Sequence, residues 1–592
     1  MRVLRTILVA ASRYEAGRVA VFRLGIGPNG ALGALAGLAE DYNRRHDGHG
    51  RIEYEFFDEH VCEAVTPALL RQWRDAATAA GQGFVLMICG VQTAMYPRAR
   101  DIALMARREG IDVIAGGVHL SAHRPSVDFL VSCGVHVAIG EVEPIWDEIV
   151  EDAFEGRLQT IYRISPEQGI QVKTVTSYMT VPDISDVPFP HIPPSSLRRY
   201  VHPTQLYIDS SRGCPFLCTF CVVKNVFGRT VRSRDPATLA AWMVERVARD
   251  GVRAFWLTDD NFVRNPRHRE LLEQLAAARA QGHAFSLSVI LDVESSCYAG
   301  DDSLRGAQTR DFLRLCRQAG VAHVFMGLES TNDAVLREMR KGVNRDRDEI
   351  HAAGGSADAS AARRRLVQRY QAAVRAWHDI GASVECGYIL GFDADGCGAG
   401  LQAARDMIEI GVDIATFYLL APLPGSEDYA AAVRDETLLE PDFNEYFRDQ
   451  AMVSHPSLSA TELEAELRAA VRAFWKWRHV VARLARRVLG VGSTAVITPW
   501  SYVKRQTGCK LMVDSGMLAY SQGGLFPRRS AHRGRREAVG DVAARRFYLD
   551  GAVVDATAAL PPADASMESL PVLLGRPALA ARDAAPRSVA LQ

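Results

Sequence analysis

The chain has 592 residues, 48% of them hydrophobic and 23% charged, with a formal net charge of -1. That length calls for several domains, each able to build its own core, and the near-neutral balance gives no bulk attraction to nucleic acid or to an anionic membrane. Eleven cysteines are too few for a secreted disulfide scaffold, and no apolar run approaches the roughly 20 residues of a membrane span, so a reducing, cytoplasmic setting is expected.

Residues 1–155 alternate strand and helix patterns. Strands are expected at 6–11, 51–57, 83–89, 112–115 and 136–139. Helices are expected at 31–45, 69–80, 97–109, 126–132 and 143–155. The run 83–89 is almost continuously apolar, as a parallel strand covered on both faces must be. This predicts an α/β, doubly wound domain of about five parallel strands, whose ligand binds at the carboxyl ends of the strands. The loops at those ends are Gly90-Val91-Gln92-Thr93, Gly116-Gly117-Val118-His119 and Gly140-Glu141-Val142-Glu143. Their glycines would let backbone approach a large flat ligand. His60, in Asp58-Glu59-His60 after the second strand, reads as an ordinary surface histidine.

Residues 156–200 read as a linker, broken by Pro182, Pro188, Pro190, Pro193 and Pro194. A strand at 205–209 then leads into Ser211-Arg212-Gly213-Cys214-Pro215-Phe216-Leu217-Cys218-Thr219-Phe220-Cys221, a C-x-x-x-C-x-x-C spacing. Three thiolates on one loop can hold three irons of a 4Fe–4S cluster and leave the fourth iron open. A zinc knot would need paired C-x-x-C units, and the other eight cysteines are scattered; buried inert thiols are the remaining alternative.

From 201 to 430, six β/α units are expected, with strands at 205–209, 255–262, 285–291, 324–330, 384–393 and 414–420. They predict a partial (β/α)6 barrel with its functional residues at the strand carboxyl ends. Residues 431–550 read as a helical C-terminal region. There Ser459-x-x-Glu462 is a capping box opening one long helix. Its apolar face runs through Leu463, Leu467, Val471, Phe474, Val481 and Leu484, and Trp475 and Trp477 point elsewhere. A Gly-rich insertion at 351–361, an Arg-rich loop at 528–536 and a disordered tail at 551–592 complete the reading.

The cysteine loop, with the aromatic Phe220 just before Cys221, resembles that of the radical S-adenosylmethionine (SAM) enzymes. The N-terminal domain resembles the cobalamin-binding domain that precedes the barrel in one large subfamily, which includes the class B methyltransferases. The resemblance implies Cys214, Cys218 and Cys221 as cluster ligands. It implies Phe220, Asp259, Glu329 and Gly391 around SAM. It implies Gly90, Gln92, Thr93, Gly116, Gly117, His119, Gly140 and Glu141 around cobalamin. Two departures stand out: no Asp-x-His-x-x-Gly cobalt-ligand motif is present, and Thr258-Asp259-Asp260 replaces the usual Gly-Gly-Glu.

The implied function is methylation of an unactivated carbon or phosphorus on a small molecule or peptide-derived intermediate, with a flavodoxin or ferredoxin as reductant. Radical cyclisation or rearrangement with the same cofactors stays open. So does a non-catalytic iron–sulfur redox or ligand sensor, against which the Asp259, Glu329 and Gly391 set argues. A methylthiotransferase would need a second cysteine triad, which is missing.

Overall fold

The computed structural model describes residues 2–489 apart from 16–17, 26, 172–178, 346–358, 440–441 and 447–448; beyond 489 it describes only positions within 503–513 and 524–527. Most of the Gly-rich insertion, the Arg-rich loop and the tail lie outside the described residues.

The first strand, β1 (Arg2–Ala10), shows how the N-terminal domain is built. Leu4, Leu8 and Ala10 face one core, with Leu32, Ala36 and Tyr42 from the helix Gly30–Arg45 and Ile149 from Trp146–Glu155. Ile7 and Val9 face the other, with Trp73, Ile102 and Val127 from the helices Pro67–Ala79, Tyr96–Arg108 and Arg124–Ser132. Side chains alternate across a strand, so a sheet covered on both faces needs an unbroken apolar run. The sheet continues with β2 (Gly50–Asp58), β3 (Gly83–Ile88), β4 (Asp112–Gly116), β5 (His136–Ala138) and β6 (Ile161–Tyr162). All neighbours are parallel, in the order β2-β1-β3-β4-β5-β6. The strand order reverses between β1 and β3, which opens a crevice at their carboxyl ends. The sixth strand comes from the segment read as linker; two residues are too few to carry a periodic signal.

Glu59 and Arg98 lie fully enclosed beneath this edge, with Nη2 to Oε1 at 2.7 Å. Glu59 also accepts the amides of Ser12 and Val65, and Arg98 donates to the Val65 carbonyl. Removing one member of a buried pair leaves the other charge uncompensated. Arg98→Ala is therefore expected to lower the stability of this domain by about 3–5 kcal/mol, read as a lower urea midpoint for its unfolding transition.

The second sheet runs in simple sequence order: β7 (Gln205–Ile208), β8 (Ala254–Leu257), β9 (Ser286–Leu291), β10 (Val321–Glu329), β11 (Ser383–Leu390) and β12 (Ile414–Leu419). All pairs are parallel, and β7 and β12 do not pair to close the sheet. This is the expected open (β/α)6 arrangement. Its helices, Pro236–Asp250, His268–Ala280, Leu304–Ala319, Ala359–Asp379 and Ala399–Ile410, share one core with the strands.

Both halves of the Ser459–Glu462 capping box form, and Leu463, Leu467, Val471 and Phe474 pack on the barrel. The single long helix does not form. It stops at Phe474, and a second helix covers Trp477–Leu489. The break turns Trp475 into the core at 5% exposure and leaves Val481 57% exposed, the reverse of the expected faces. No helix among the described residues is long and apolar enough to cross a membrane.

Candidate cofactor-binding site

The cysteine loop leaves the carboxyl end of β7 and is held by the next strand. At the end of β8, Asp259 is fully enclosed. Its Oδ1 accepts the amides of Ser210 (2.7 Å) and Ser211, and its Oδ2 accepts the Ser210 hydroxyl (2.6 Å). Asp260 Oδ2 accepts the Gly213 amide at 2.8 Å. Gly213 has φ +98°, and a side chain there would run into the Thr230 carbonyl, so only glycine suits this turn. Ser211–Arg212 pairs antiparallel with Arg232–Ser233 and closes the base of the loop. Farther along, Lys224 Nζ donates to the Leu217 carbonyl (3.1 Å) and to Glu427 (2.5 Å), and the Thr219 amide donates to the Met339 carbonyl (3.2 Å).

Cys214, Cys218 and Cys221 are free thiols on this frame. Burial, reinforced by the neighbouring thiols and Asp260, pushes Cys214 up to about 11 and Cys221 to about 12. Burial also raises Cys218, while Lys341 pulls the other way. Among the described residues no three His, Cys, Asp or Glu side chains converge on a single metal ion. The three thiols share a loop and an electrostatic neighbourhood. Three soft sulfur donors on one loop suit an iron–sulfur group, which takes each of them as a thiolate.

Around the loop, Glu329 closes β10 with φ +62°, a left-handed conformation that a non-glycine residue holds only under constraint. Its side chain meets Lys341, whose Nζ donates to Glu329 Oε1 at 3.0 Å and lies 5.9 Å from the centre of the Phe220 ring. Gly391, φ +97°, gives its amide to Asp395 at 2.8 Å, and burial pushes Asp395 up to about 6. Phe220 and Glu329 therefore come together at the cluster loop. Asp259 sits behind the loop with its oxygens already engaged. Asp260, half-buried and pushed up to about 6 by burial, is the β8 carboxylate that the thiols feel.

At the N-terminal edge, Gly90 (φ +63°), Gly116, Gly117 and Gly140 line the strand ends, and Gln92 is exposed beside them. Three expected contacts, Thr93, His119 and Glu141, turn inward. His119 is fully buried, stacked on Tyr96 at 4.4 Å, with its ring nitrogens 3.3 Å from Thr93 Oγ1 and 2.9 Å from Ser126 Oγ. Burial holds its pKa well below the usual range, so the ring is neutral. It braces the loop from beneath, and Thr93 with it. Glu141 is buried as well. It accepts the Val181 amide (2.6 Å), Arg232 Nη1 (2.6 Å) and Arg212 Nη1 (3.2 Å), clamping both strands at the base of the cysteine loop. His60 is not a surface residue: it is 9% exposed, with Nδ1 3.0 Å from Asp58 Oδ1.

Sequence reasoning missed Lys341, a single lysine without a pattern. It missed the depth of Glu141 because its partners lie far along the chain. The two domains meet at this edge. Val226 and Phe227, just after the cysteine loop, pack against Val118, Ala122 and Ile139 of the N-terminal domain. Phe443 and Tyr446 enter the N-terminal core, and Asn444 exchanges two hydrogen bonds with the Tyr14 backbone.

Residues 208–355, from the end of β7 through the cysteine loop to beyond Lys341, match the radical SAM superfamily. The chain carries a radical SAM domain. It is 27% identical to bacteriochlorophyllide d C-12(1)-methyltransferase of Chlorobaculum tepidum, over 58% of this chain and 65% of that protein. It is 23% identical to hopanoid C-2 methylase of Rhodopseudomonas palustris, over 71% and 66%. A shorter stretch is 35% identical to the anaerobic magnesium-protoporphyrin IX monomethyl ester cyclase of Synechocystis, over 24% and 26%. The chain thus spans about two thirds or less of the length of these relatives. Among solved structures it shares the fold of the radical SAM methyltransferase TsrM from Kitasatospora setae with cobalamin and a 4Fe–4S cluster bound (TM-score 0.56, 15% identity, 87% of this chain and 100% of that one). It likewise shares the fold of the cobalamin-dependent enzyme OxsB with aqua-cobalamin bound (TM-score 0.54, 11% identity, 92% and 84%).

Proposed function

We propose that the chain is a cobalamin-dependent radical SAM methyltransferase acting on an unactivated carbon, or phosphorus, of a small molecule or peptide-derived intermediate. One observation carries the reading: the cysteine loop of the radical SAM domain is docked on the carboxyl edge of the N-terminal sheet, through Val226 against Val118 and Ala122 and through Glu141 on Arg212 and Arg232. A cofactor at one edge and SAM at the other would share a single chamber. The relatives named as methyltransferases support the reaction class.

When bound, the cluster supplies the electron that cleaves SAM, and cobalamin carries the methyl group. The chain does the rest. Cys214, Cys218 and Cys221 would hold the cluster. Asp260 would accept the SAM ammonium, since the oxygens of Asp259 serve the loop. Glu329, Gly391 and Phe220 set the nucleoside side. Gly90, Gln92, Gly116, Gly117 and Gly140 present backbone and one amide to cobalamin, while Thr93, His119 and Glu141 support that edge from within. A low-potential donor of the flavodoxin or ferredoxin class delivers the electrons.

The 35% match to a cyclase favours a second reading, radical cyclisation without methyl transfer. Mass spectrometry of the SAM products from anaerobically reconstituted protein separates the two. S-adenosylhomocysteine together with 5′-deoxyadenosine is expected; deoxyadenosine alone would select cyclisation, and neither product would remove both.

A further inference from the structure

Lys341 has no place in the ligand set described above, yet its ammonium lies 5.9 Å from the centre of the Phe220 ring on the cysteine loop. It is half-buried and pairs with Glu329 at 3.0 Å, both side chains about one-eighth exposed (13% and 12%). The surrounding chain is shaped to keep the pair. A side chain at Gly327 would run into Glu329 Oε1 and lie 3.0 Å from Lys341 Nζ. Asn344, three residues on, ties the strand end down through the carbonyls of Gly327 (3.1 Å) and Leu328 (2.6 Å). Burial opposes the charge on Lys341, and the Glu329 carboxylate 3.0 Å away favours it, so the ammonium persists. Lys341 Nζ lies 5.9 Å from the centre of the Phe220 ring, and Phe220 stands between Cys218 and Cys221, so the ammonium of the pair is set against the cysteine loop.

We propose that the Lys341–Glu329 pair is a potential-setting device for the iron–sulfur cluster, its positive pole stabilising the reduced state. This rests on the cluster assignment made above. Adding one electron from a low-potential donor makes the cluster more negative, and the potential of such clusters follows the net charge and solvent exposure around them. An ammonium beside the sulfurs raises it; a carboxylate lowers it. Lys341 is thus a positioning residue, acting on the cluster through its charge and on Glu329 through its hydrogen bond.

The test is an EPR-monitored redox titration with dithionite of the anaerobically reconstituted full-length protein, with SAM omitted so that Glu329 has no ligand to bind. Iron and sulfide analysis accompanies every sample. Lys341→Met should shift the midpoint potential to more negative values. Glu329→Gln, which leaves the ammonium without its counter-charge, should shift it to less negative values. Lys341→Arg should stay near wild type, and Lys341→Gln should follow Lys341→Met where the latter folds poorly. A purely structural role would not move two partners of one pair in opposite directions. Unchanged potentials, or shifts of the same sign in Lys341→Met and Glu329→Gln, would overturn the proposal. Wild-type protein that assembles no 4Fe–4S cluster would overturn the cluster assignment itself, a different failure with a different signature.

Discussion

Replacing any one of Cys214, Cys218 or Cys221 by Ala is expected to abolish the broad visible absorbance of the reconstituted cluster and all cleavage of SAM. The loop frame should survive, because its anchors are elsewhere: Asp259 and Asp260 grip the backbone at 210–213, and Lys224 holds the Leu217 carbonyl. What is lost is one thiolate, and a methyl group cannot replace it. Cys386 and Cys297 are the controls. Cys386 is fully buried in the barrel core, where burial holds its thiol well above the usual range. Its truncation should cost on the order of 1 kcal/mol in packing and leave the cluster assembled. Cys297 is half-buried near the Glu294 carbonyl, off the cysteine loop, and its replacement should also leave the spectrum intact. Ultraviolet–visible spectra and deoxyadenosine release check all five variants; wild-type cleavage by a single triad variant would end the assignment.

The parts of this molecule that were legible in the sequence are those fixed by local pattern. β1 and β3 announce themselves because two helical layers demand unbroken apolar runs. The cysteine loop is legible because ligand spacing is local chemistry, and the Ser459 capping box because it is a four-residue motif. Distance along the chain hid the rest. Glu141 looks like a polar loop residue until Arg212 and Arg232 fold onto it, 71 and 91 positions away. His119 looks like a ligand until Tyr96 and Phe443 close over it. The helix break at Trp475 is invisible to periodicity, because the apolar spacing continues through it. Lys341 has no motif, and its meaning comes from the turn that carries it back to Glu329.

The two adjacent carboxylates of β8 should separate cleanly under mutation. Asp259 faces three donors: Ser210 N, Ser211 N and Ser210 Oγ. Asn fits the same frame, with Oδ1 accepting both amides and Nδ2 donating to the serine hydroxyl. Asp259→Asn should therefore keep the cluster and bind SAM as wild type does. Asp259→Ala strands buried amides at about 1–3 kcal/mol each, and should lose the cluster through collapse of the loop. Burial pushes Asp259 up to about 7, above its unfolded value of about 3.9. Its contribution to stability is accordingly full below that unfolded value and is lost as pH rises through the folded one, so Asp259→Asn should flatten this slope between about pH 4 and 7 in thermal unfolding of the cluster-free protein. Asp260 behaves differently, because it faces the thiols as well as the Gly213 amide. A charge-assisted bond to the SAM ammonium contributes roughly 1.5–3 kcal/mol, so Asp260→Asn should weaken SAM binding by about one to two powers of ten with the cluster intact. Equilibrium SAM binding under anaerobic conditions decides between them. If Asp259→Asn lost affinity and Asp260→Asn kept it, the SAM ammonium would belong to Asp259, and the loop-anchoring role would be wrong.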